Sequence, residues 1–315
     1  MPLFDKPLSE LKVYKPALTR EAEFDAFWQK TLAQAATIPL QTQFTPAAYP
    51  ARQLKIYDVR YTGWNGARIA GWYLQPAGNG PFPGIVVYHG YSGSRALPHS
   101  HFAWAAQGYA VLAVDTRGQS GESTDPTVYS TGHVKGWMTA GVLDPEEYYY
   151  RGAYVDCVRA LDVLATRPEV DMKRVGVTGG SQGGGLSLAV SALDSRPVAT
   201  MADIPYLCHY ERAVDMAALM PYLEISDYLK LYPQREQTVF RTLSYFDNMN
   251  LAPRTRSNVL MSCGLVDDCC PPSTIFAAYN HLTCNKEIKV YRYHKHEDIA
   301  AHWAEKFAWA EKYLG

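Results

Sequence analysis

The spacing of apolar residues along the chain predicts alternating strands and helices. From residue 84 onwards, short apolar runs alternate with stretches of helical periodicity. A short apolar run between turn residues is typical of a buried strand, and strands that alternate with helices are typical of a parallel sheet. The pattern therefore predicts an α/β fold with a mostly parallel, doubly wound sheet. Its predicted strands are 85–88, 110–114, 174–178, 198–202, 259–263 and 288–293.

The N-terminal part has a different pattern, a helix followed by a hairpin. Residues 19–35 carry apolar side chains at helical spacing, with Thr19 as the expected N-cap. Residues 54–61 and 67–74 are strand-like segments on either side of Asn65-Gly66, a dipeptide that favours tight turns. We therefore expect an N-terminal helix that packs on the main body and an antiparallel pair of strands before the parallel sheet.

Capping residues predict a long helix in the middle of the chain. Asp144 suits an N-cap, Pro145 suits the first helical position, and Glu147 three residues after the cap completes a capping box. We expect this helix to run to about Thr166. Further helices are predicted at 99–107, 183–194 and 301–314.

Residues 205–250 interrupt the alternation with aromatic-rich helical pieces. We interpret this segment as an insertion or lid over the functional site. No internal repeat, low-complexity tract or linker divides the chain. The expected organisation is therefore a single domain, residues 1–315, that carries a helical insertion.

The composition limits the classes of partner. The chain has 315 residues, of which 47% are hydrophobic, enough for a substantial core. Its formal net charge is −1, which gives no electrostatic reason to expect nucleic acid or an anionic membrane as a partner, since a basic face would be expected for either. No stretch is long and apolar enough to span a membrane. We expect the partner to be a neutral small molecule.

The six cysteines do not have the spacing of metal ligands or of a disulfide framework. Reduced thiols are typical of cytoplasmic proteins, so a cytoplasmic location is expected. The first residues, 1–7, contain no apolar core segment, and we therefore expect no signal peptide.

A Gly-x-Ser-x-Gly pentapeptide, Gly179 to Gly183, lies between a predicted strand and a predicted helix. This is the arrangement of a nucleophile elbow, in which the serine occupies a sharp turn and small neighbours let the helix pass close to the strand. Ser181 is therefore the candidate nucleophile. The alternative is a glycine-rich turn whose serine only caps a helix.

A serine nucleophile needs a base and an acid, which in a doubly wound hydrolase follow later strands in the order serine, acid, histidine. Asp267 follows the predicted strand 259–263, and His296 follows 288–293. Both positions match the required order, so Asp267 is the candidate acid and His296 the candidate base. Asp268 remains an alternative for the acid.

An oxyanion hole needs two backbone N–H groups, one from the residue after the nucleophile and one from an earlier loop. Gln182 supplies the first. The second is expected from Tyr91, since His89-Gly90 ends the predicted strand 85–88. The Tyr91 ring would then form a wall of the acyl pocket. The alternative is that His89-Gly90 is only a turn that ends the strand.

The segment from His294 to Asp298 reads H-x-H-x-D, which is part of the ligand set of some binuclear metallohydrolases. Ile299 stands where that set needs a histidine, and the segment lies near the end of the chain. The serine triad is therefore preferred, and neither a metal nor another cofactor is expected.

With these residues located, the chain resembles the family of cephalosporin C deacetylases and acetyl xylan esterases, carbohydrate esterase family 7 of the α/β-hydrolases. The resemblance covers nearly the whole chain. It depends mainly on three blocks, which are Arg117-Gly118-Gln119, Gly179-Gly180-Ser181-Gln182-Gly183 and His296-Glu297. Arginine and glutamine of the first block are expected to brace loops by hydrogen bonds rather than to touch substrate.

The resemblance implies the same assignments, with Ser181 as nucleophile, Asp267 as acid, His296 as base and the amides of Tyr91 and Gln182 as oxyanion hole. It also implies substrate contacts from Tyr91 and Tyr206. The implied activity is removal of O-acetyl groups from short xylo-oligosaccharides and from the acetoxymethyl arm of cephalosporins, in the cytoplasm, by a homohexamer.

Two positions beside the candidate triad depart from the family pattern. Lys295 stands where a glycine often precedes the histidine, and Asp268-Cys269-Cys270 replaces a more ordinary loop. A serine peptidase of the prolyl-oligopeptidase kind and a non-catalytic binding protein on the same fold are the alternative functions.

Overall fold

One sheet runs through the residues that the computed structural model describes, 4–315. Within that range the sheet has nine strands in the order β1-β2-β3-β5-β4-β6-β7-β8-β9. Their bounds are β1 Gln43–Pro46, β2 Leu54–Thr62, β3 Arg68–Pro76, β4 Phe82–Tyr88, β5 Ala110–Val114, β6 Val170–Gly180, β7 Pro197–Asp203, β8 Asn258–Gly264 and β9 Lys286–Tyr291.

The sheet is antiparallel at one edge and parallel from β5 to β9. Strands β1, β2 and β3 pair in antiparallel register, β3 also pairs with β5 in that sense, and every later pair is parallel. After β4, the chain forms β5 on one side of β4, and it later returns to form β6 on the other side of β4. Such a reversal opens a crevice at the carboxyl ends of the strands, where ligands bind in sheets of this kind.

Eleven α-helices accompany the strands in the described part of the chain. They are α1 Leu8–Leu11, α2 Phe24–Ala36, α3 Phe102–Ala106, α4 Tyr149–Ala165, α5 Gln182–Leu193, α6 Tyr210–Met216, α7 Leu223–Leu231, α8 Glu236–Ser244, α9 Asn248–Leu251, α10 Pro272–His281 and α11 His302–Leu314. None of the helices within residues 4–315 has the length and apolar character needed to cross a membrane.

Helices cover both faces of the sheet. Side chains alternate between the two faces along each strand, so Ile85 of β4 joins a core with α3 and α11, whereas Val86 joins a core with α2, α4, α5 and α10. Trp104 and Leu314 are buried in the first core, and Trp28 is buried in the second. The predicted doubly wound sheet is confirmed.

The hairpin prediction is also confirmed. Strands β2 and β3 pair along their whole length, from Leu54 opposite Pro76 to Thr62 opposite Arg68. Asn65 and Gly66 in the connection have φ values of 50° and 76°. Asparagine and glycine tolerate this left-handed region better than other residues, which explains why this dipeptide marks the turn.

The predicted start of the N-terminal helix was wrong. Helix α2 begins at Phe24 with Glu23 at the N-cap, and Thr19 lies outside it. The Thr19 backbone N–H donates instead to the Asn250 side chain at 3.0 Å. A tertiary contact therefore holds Thr19 in the connection before the helix. The first residues, 1–3, to which the signal-peptide expectation partly refers, lie outside the described residues.

The predicted start of the central helix was wrong by a turn. Helix α4 begins at Tyr149, because Tyr148 at its N-cap has an extended backbone with φ −60° and ψ 133°. The Asp144 carboxylate accepts a hydrogen bond from the Glu146 N–H at 2.8 Å. The capping residues thus form a separate turn just before the helix.

The segment 205–250 contains α6 to α9 and packs against the N-terminal helix and α4. The Trp28 indole N–H donates to the Tyr245 carbonyl at 2.9 Å, and the Tyr154 hydroxyl donates to the Phe246 carbonyl at 2.7 Å. Near its middle, Glu224 extends toward the loop after β4. The segment therefore joins two helices of the body to the carboxyl edge of the sheet.

Candidate active site

Ser181 lies in a strained turn between β6 and α5. Its backbone has φ 56° and ψ −119°, a conformation that residues other than glycine rarely adopt. The turn is held by hydrogen bonds, from the Ser181 N–H to the Asp203 carbonyl at 2.9 Å and from the Tyr206 N–H to the Ser181 carbonyl at 2.9 Å. This is the geometry of a nucleophile elbow, which presents the hydroxyl at the top of the sheet.

Two of the flanking glycines are required by close packing. A Cβ atom on Gly179 would lie 2.3 Å from the Tyr88 carbonyl oxygen, and one on Gly183 would lie 2.0 Å from the same atom. By contrast, the nearest atom to a Cβ on Gly180 would be 4.0 Å away. The close approach of α5 to the end of β4 therefore requires the first and last glycines of the pentapeptide.

The structure brings Ser181, His296 and Asp267 together in a chain of hydrogen bonds. His296 Nε2 lies 2.8 Å from Ser181 Oγ, and His296 Nδ1 lies 2.8 Å from Asp267 Oδ2. A carboxylate can only accept, so the Nδ1–H donates to Asp267 and leaves Nε2 free to accept from the serine hydroxyl. This arrangement can remove the serine proton.

Asp267, and not its neighbour Asp268, contacts the histidine. The Asp267 side chain is fully buried, and its second oxygen, Oδ1, accepts from the N–H groups of Cys269 at 2.9 Å and Cys270 at 2.7 Å. Asp268 points away and lies 3.6 Å from the Lys295 ammonium group. Two backbone donors thus fix the carboxylate that faces the imidazole.

The His296 ring has a perturbed pKa. Burial lowers the pKa of the ring, but its hydrogen bonds to Asp267 and Cys269 and the negative charges of these groups outweigh burial and raise the pKa above 6.5. The Cys269 thiol shows the reverse shift, since its contacts with Cys270 and His296 lower its pKa despite burial. A positive charge on the imidazole is therefore stabilised at this position.

The N–H groups of Tyr91 and Gln182 lie in the two loops that border the serine. Gly90 packs against the elbow, since a Cβ on it would be 3.9 Å from Ser181 Cβ. Its carbonyl oxygen is 2.7 Å from His89 Nδ1 and accepts from the Gly93 N–H at 3.0 Å. Because C=O and N–H point in opposite directions across a trans peptide, these bonds turn the Tyr91 N–H away from His89.

His89 is oriented by a second hydrogen bond. Its Nε2 accepts from the Thr116 N–H at 2.8 Å, so the proton lies on Nδ1 and is donated to Gly90. Burial lowers the His89 pKa, which favours this neutral form. Sequence reasoning treated His89 only as part of a turn, although its position beside a glycine at the end of a strand was the available signal.

The Arg117-Gly118-Gln119 block braces these loops. Gln119 Oε1 accepts from the Ser92 N–H at 3.0 Å, and its amide contacts the Gln182 side chain. Arg117 is 1% exposed and binds the Asp156 carboxylate with two nitrogens, at 2.6 and 2.9 Å. These contacts agree with the expectation that the arginine and glutamine of the block brace loops by hydrogen bonds.

Tyr91 and Tyr206 belong to an aromatic group where the loop after β4 meets the insertion 205–250. The Tyr91 hydroxyl donates to the Glu224 carboxylate and accepts from the Trp137 N–H at 2.6 Å. Tyr206 is fully buried, with its ring 6.3 Å from that of Tyr91 and 4.1 Å from that of Tyr222. Tyr206 is thus buried next to Tyr91. Its ring has no exposed surface in this structure, and it would have to become exposed to contact a substrate directly.

Glu224 was not identified from the sequence. It is 3% exposed, and burial raises its pKa while the Met138 N–H and the Tyr91 hydroxyl oppose that shift. Nothing in the local pattern of α7 distinguishes it from a surface glutamate, because its partners are more than eighty residues away in the sequence.

A cavity of about 340 Å³ opens beside Ser181 on the His296 side. Trp104, Ile204 and Trp303 contribute apolar surface, and Lys306 is held to Asp203 at 2.6 Å. Neither Tyr91 nor Tyr206 lines this cavity. Ser181 therefore borders a cavity that is also lined by two tryptophans, and Tyr91 lies outside this cavity.

The two histidines of the H-x-H-x-D segment have different partners. His296 takes part in the contact with Ser181, whereas His294 pairs with Glu297 at 2.8 Å on the surface. Among the described residues, a different group has metal-binding geometry, namely Cys269, Cys270 and His296, whose ligand atoms all lie within 4.8 Å of one another. All six cysteines are free thiols.

Comparison with known proteins finds acetyl esterases. The model of the acetyl xylan esterase family matches residues 1–313. An acetyl esterase, Axe7A of Xylanibacter ruminicola, is 29% identical over 96% of this chain and 69% of that protein.

Two solved structures are similar along their whole length. An acetyl xylan esterase from Paenibacillus sp. R4 is 46% identical with a TM-score of 0.96, and the match covers 98% of this chain and 100% of that one. Acetyl xylan esterase 1 from Thermoanaerobacterium sp. is 34% identical with a TM-score of 0.95, covering 99% and 100%. With its α/β-hydrolase fold, this chain therefore belongs to the acetyl xylan esterase family and is a carboxylic ester hydrolase that acts on acetyl esters.

Proposed function

We propose that this protein is a serine esterase that removes O-acetyl groups from acetylated xylo-oligosaccharides and from cephalosporin C-type acetyl esters through an acetyl-enzyme intermediate. The observation that carries the proposal is the hydrogen-bonded series Ser181, His296 and Asp267, at 2.8 Å for each contact to the imidazole. Ser181 is the proposed nucleophile, His296 the base and Asp267 the acid that holds the imidazole.

In the first half of the reaction, Ser181 Oγ attacks the acetyl carbonyl while its proton moves to His296 Nε2. The carbonyl oxygen becomes an oxyanion that accepts hydrogen bonds from the Tyr91 and Gln182 N–H groups. Asp267 stabilises the imidazolium that forms. His296 then gives its proton to the leaving alkoxide, so the alcohol departs and the acetyl group stays on Ser181.

In the second half, water replaces the alcohol. His296 takes a proton from the water, the hydroxide attacks the acetyl carbonyl, and the same two N–H groups hold the oxyanion. Return of the proton to Ser181 Oγ breaks the ester and releases acetate. The enzyme is regenerated, with one water consumed for each acetate formed.

The position of His296 indicates where each part of the substrate lies. The leaving oxygen must be within reach of His296, so the alcohol lies on the side of the cavity that this residue lines. Trp303, which is half-buried, gives that side aromatic surface on which a sugar ring can pack. The much smaller acetyl group then lies on the opposite side, toward Tyr91.

The proposal includes three further features. Residues 205–250 act as a lid, and Glu224 links this lid to Tyr91 in the loop after β4.

A homohexamer would cover exposed apolar side chains such as Val128 and Leu231. Light scattering of the purified protein tests this assembly. A cytoplasmic location is in keeping with six free thiols.

Acetate release from acetylated xylo-oligosaccharides and from cephalosporin C tests the substrate class. We expect both to be hydrolysed, and p-nitrophenyl acetate to be cleaved faster than the butyrate and octanoate esters because the acyl side is small. Fastest cleavage of the octanoate would contradict the proposed acyl pocket. Cleavage of a chromogenic proline amide in preference to acetyl esters would instead favour a peptidase.

A further inference from the structure

Two cysteine thiols beside the proposed base have no part in the reaction described above. The ligand atoms of Cys269, Cys270 and His296 all lie within 4.8 Å of one another. The backbone N–H groups of the two cysteines serve the triad as donors to Asp267, and the Cys269 sulfur helps to raise the pKa of His296, but neither sulfur makes or breaks a bond in that reaction. Their sulfur atoms are thus available for a different chemistry at the same place.

This set of atoms suits a thiophilic cation. Two sulfurs and one imidazole nitrogen are the donors that Zn²⁺ and Cd²⁺ prefer. With bonds of about 2.3 Å to sulfur and 2.1 Å to nitrogen, tetrahedral ligands lie about 3.5–4 Å apart. Small side-chain rotations would therefore bring the three atoms to that spacing.

We propose that Cys269, Cys270 and His296 form an inhibitory binding site for a thiophilic divalent cation such as Zn²⁺ or Cd²⁺. Binding forms two metal–sulfur bonds and one metal–nitrogen bond, and a water molecule completes the tetrahedron. The two thiol protons pass to solvent, and no group is oxidised or reduced. The inhibition rests on the proposed role of His296 as base, whereas the binding itself does not.

Binding at His296 must block the reaction because both ring nitrogens are already in use. Nδ1 donates to Asp267 and Nε2 accepts from Ser181, each at 2.8 Å. A cation on Nε2 removes the acceptor for the serine proton. A cation on Nδ1 removes the contact that orients the ring. In either case the imidazole can no longer be held in place and take the proton.

The surroundings allow entry and add negative charge. The His296 side chain is 20% exposed, whereas Cys269 is 5% exposed and Cys270 is fully buried. A cation would therefore enter from the substrate side and reach Cys270 last. The Cys269 thiol must give up its hydrogen bond to the Met220 carbonyl, 3.2 Å away. The buried Asp267 carboxylate beside the sulfurs favours a positive ion.

The test is a titration of the full-length enzyme with Cd²⁺ under oxygen-free conditions without added thiols. Two readouts are followed, the ultraviolet absorption of Cd²⁺–thiolate bonds and the hydrolysis of p-nitrophenyl acetate. We expect both to change together in the wild type, with one Cd²⁺ bound per chain, and a chelator to reverse both changes.

Variants decide whether the named residues hold the cation. Cys269→Ser and Cys269→Ala should each weaken Cd²⁺ binding and inhibition at least about tenfold, with every rate compared with the same variant without metal. Cys284→Ser is the matched control. Cys284 is half-buried and lies just before β9, at the opposite end of that strand from His296. Cd²⁺ should therefore bind and inhibit this variant as it does the wild type.

Three results would overturn the proposal. One is equal sensitivity of the wild type and the Cys269 variants, and another is thiolate absorption that does not depend on Cys269. The third is Cd²⁺ binding at Cys269 without loss of activity, which would leave a site that does not inhibit. Ser181→Ala should still show the absorption, which separates failure of the metal site from failure of the proposed esterase mechanism.

Discussion

The side chains of Gln119 and Gln182 bond to each other in both directions. Gln119 Nε2 donates to Gln182 Oε1 at 2.9 Å, and Gln182 Nε2 donates to Gln119 Oε1 at 3.1 Å. Gln119 Oε1 also accepts from the N–H of Ser92, the residue after Tyr91. The reciprocal pair therefore links the two loops whose N–H groups are proposed to form the oxyanion hole.

Loss of this link should reduce catalysis more than substrate binding. In Gln119→Ala, the Tyr91 loop and the start of α5 lose their connection, so the two N–H groups no longer hold a fixed spacing. We expect kcat to fall about ten- to a hundred-fold with little change in KM, less than the loss for removing a direct oxyanion donor. Steady-state kinetics with p-nitrophenyl acetate measure this effect.

Gln237→Ala serves as the control for that variant, because Gln237 lies on the exposed surface of α8. Its kinetics should match the wild type. A rise in KM with unchanged kcat in Gln119→Ala would show that the pair acts in binding and not in positioning the oxyanion donors.

The contact between Tyr91 and Glu224 should contribute to stability. In Tyr91→Phe, the Trp137 N–H loses its acceptor and the buried Glu224 carboxylate loses a donor. We expect the free energy of unfolding to fall by about 1–3 kcal/mol in urea denaturation. Tyr293→Phe is the control, since Tyr293 is 77% exposed, and an equal effect of the two changes would contradict this account.

The buried pair of Arg117 and Asp156 should have a larger effect. Arg117→Gln leaves the Asp156 carboxylate without its charged partner in an environment that excludes water. Breaking such a pair costs about 3–5 kcal/mol, measured as the change in unfolding free energy. Arg20→Gln, at an exposed position, should change stability by less than about 0.5 kcal/mol. A loss below about 1 kcal/mol in Arg117→Gln would be inconsistent with a structural role for the pair.

The pH dependence of the reaction should reflect the raised pKa of His296. The base must be neutral to accept the serine proton, so activity increases as pH rises through this pKa. Because Asp267 and Cys269 outweigh burial and raise the pKa, the acid limb of the kcat/KM profile should lie above pH 6.5.

Cys269→Ala removes one of the groups that raise the pKa, and its acid limb should therefore move to lower pH. Cys284→Ala should leave the limb where it is in the wild type. If the limb of Cys269→Ala does not move, the thiol has no part in setting the protonation of His296.

Sequence reasoning located the strands because their apolar runs are bounded by turn residues, and strand ends in turn located the candidate site. Asp267 and His296 were identified since each directly follows a predicted strand. Helix starts were less predictable. The residues from Asp144 to Glu147 have the chemistry of a helix cap, but the extended backbone of Tyr148 separates them from α4.

Contacts between distant segments could not be read from local patterns. Glu224 bonds to Tyr91 across 133 positions of the chain, and Gln119 bonds to Gln182 across 63. Glu224 is compatible with an exposed surface when only its neighbours in sequence are known. For Gln119 the sequence predicted a role in bracing loops, but it did not identify the distant partner. The choice of Asp267 over Asp268 likewise depends on the backbone turn at Cys269 and Cys270, which fixes one carboxylate toward the histidine.

In the proposed reaction, Ser181 becomes the covalent carrier of the acetyl group. Reaction with a fluorophosphonate, followed by intact-mass measurement and peptide mapping, tests it most directly. We predict one adduct per chain, on Ser181, and no adduct on Ser181→Ala, whose turnover should fall by up to about a million-fold. An adduct on another residue, or equal labelling of Ser181→Ala, would contradict the account.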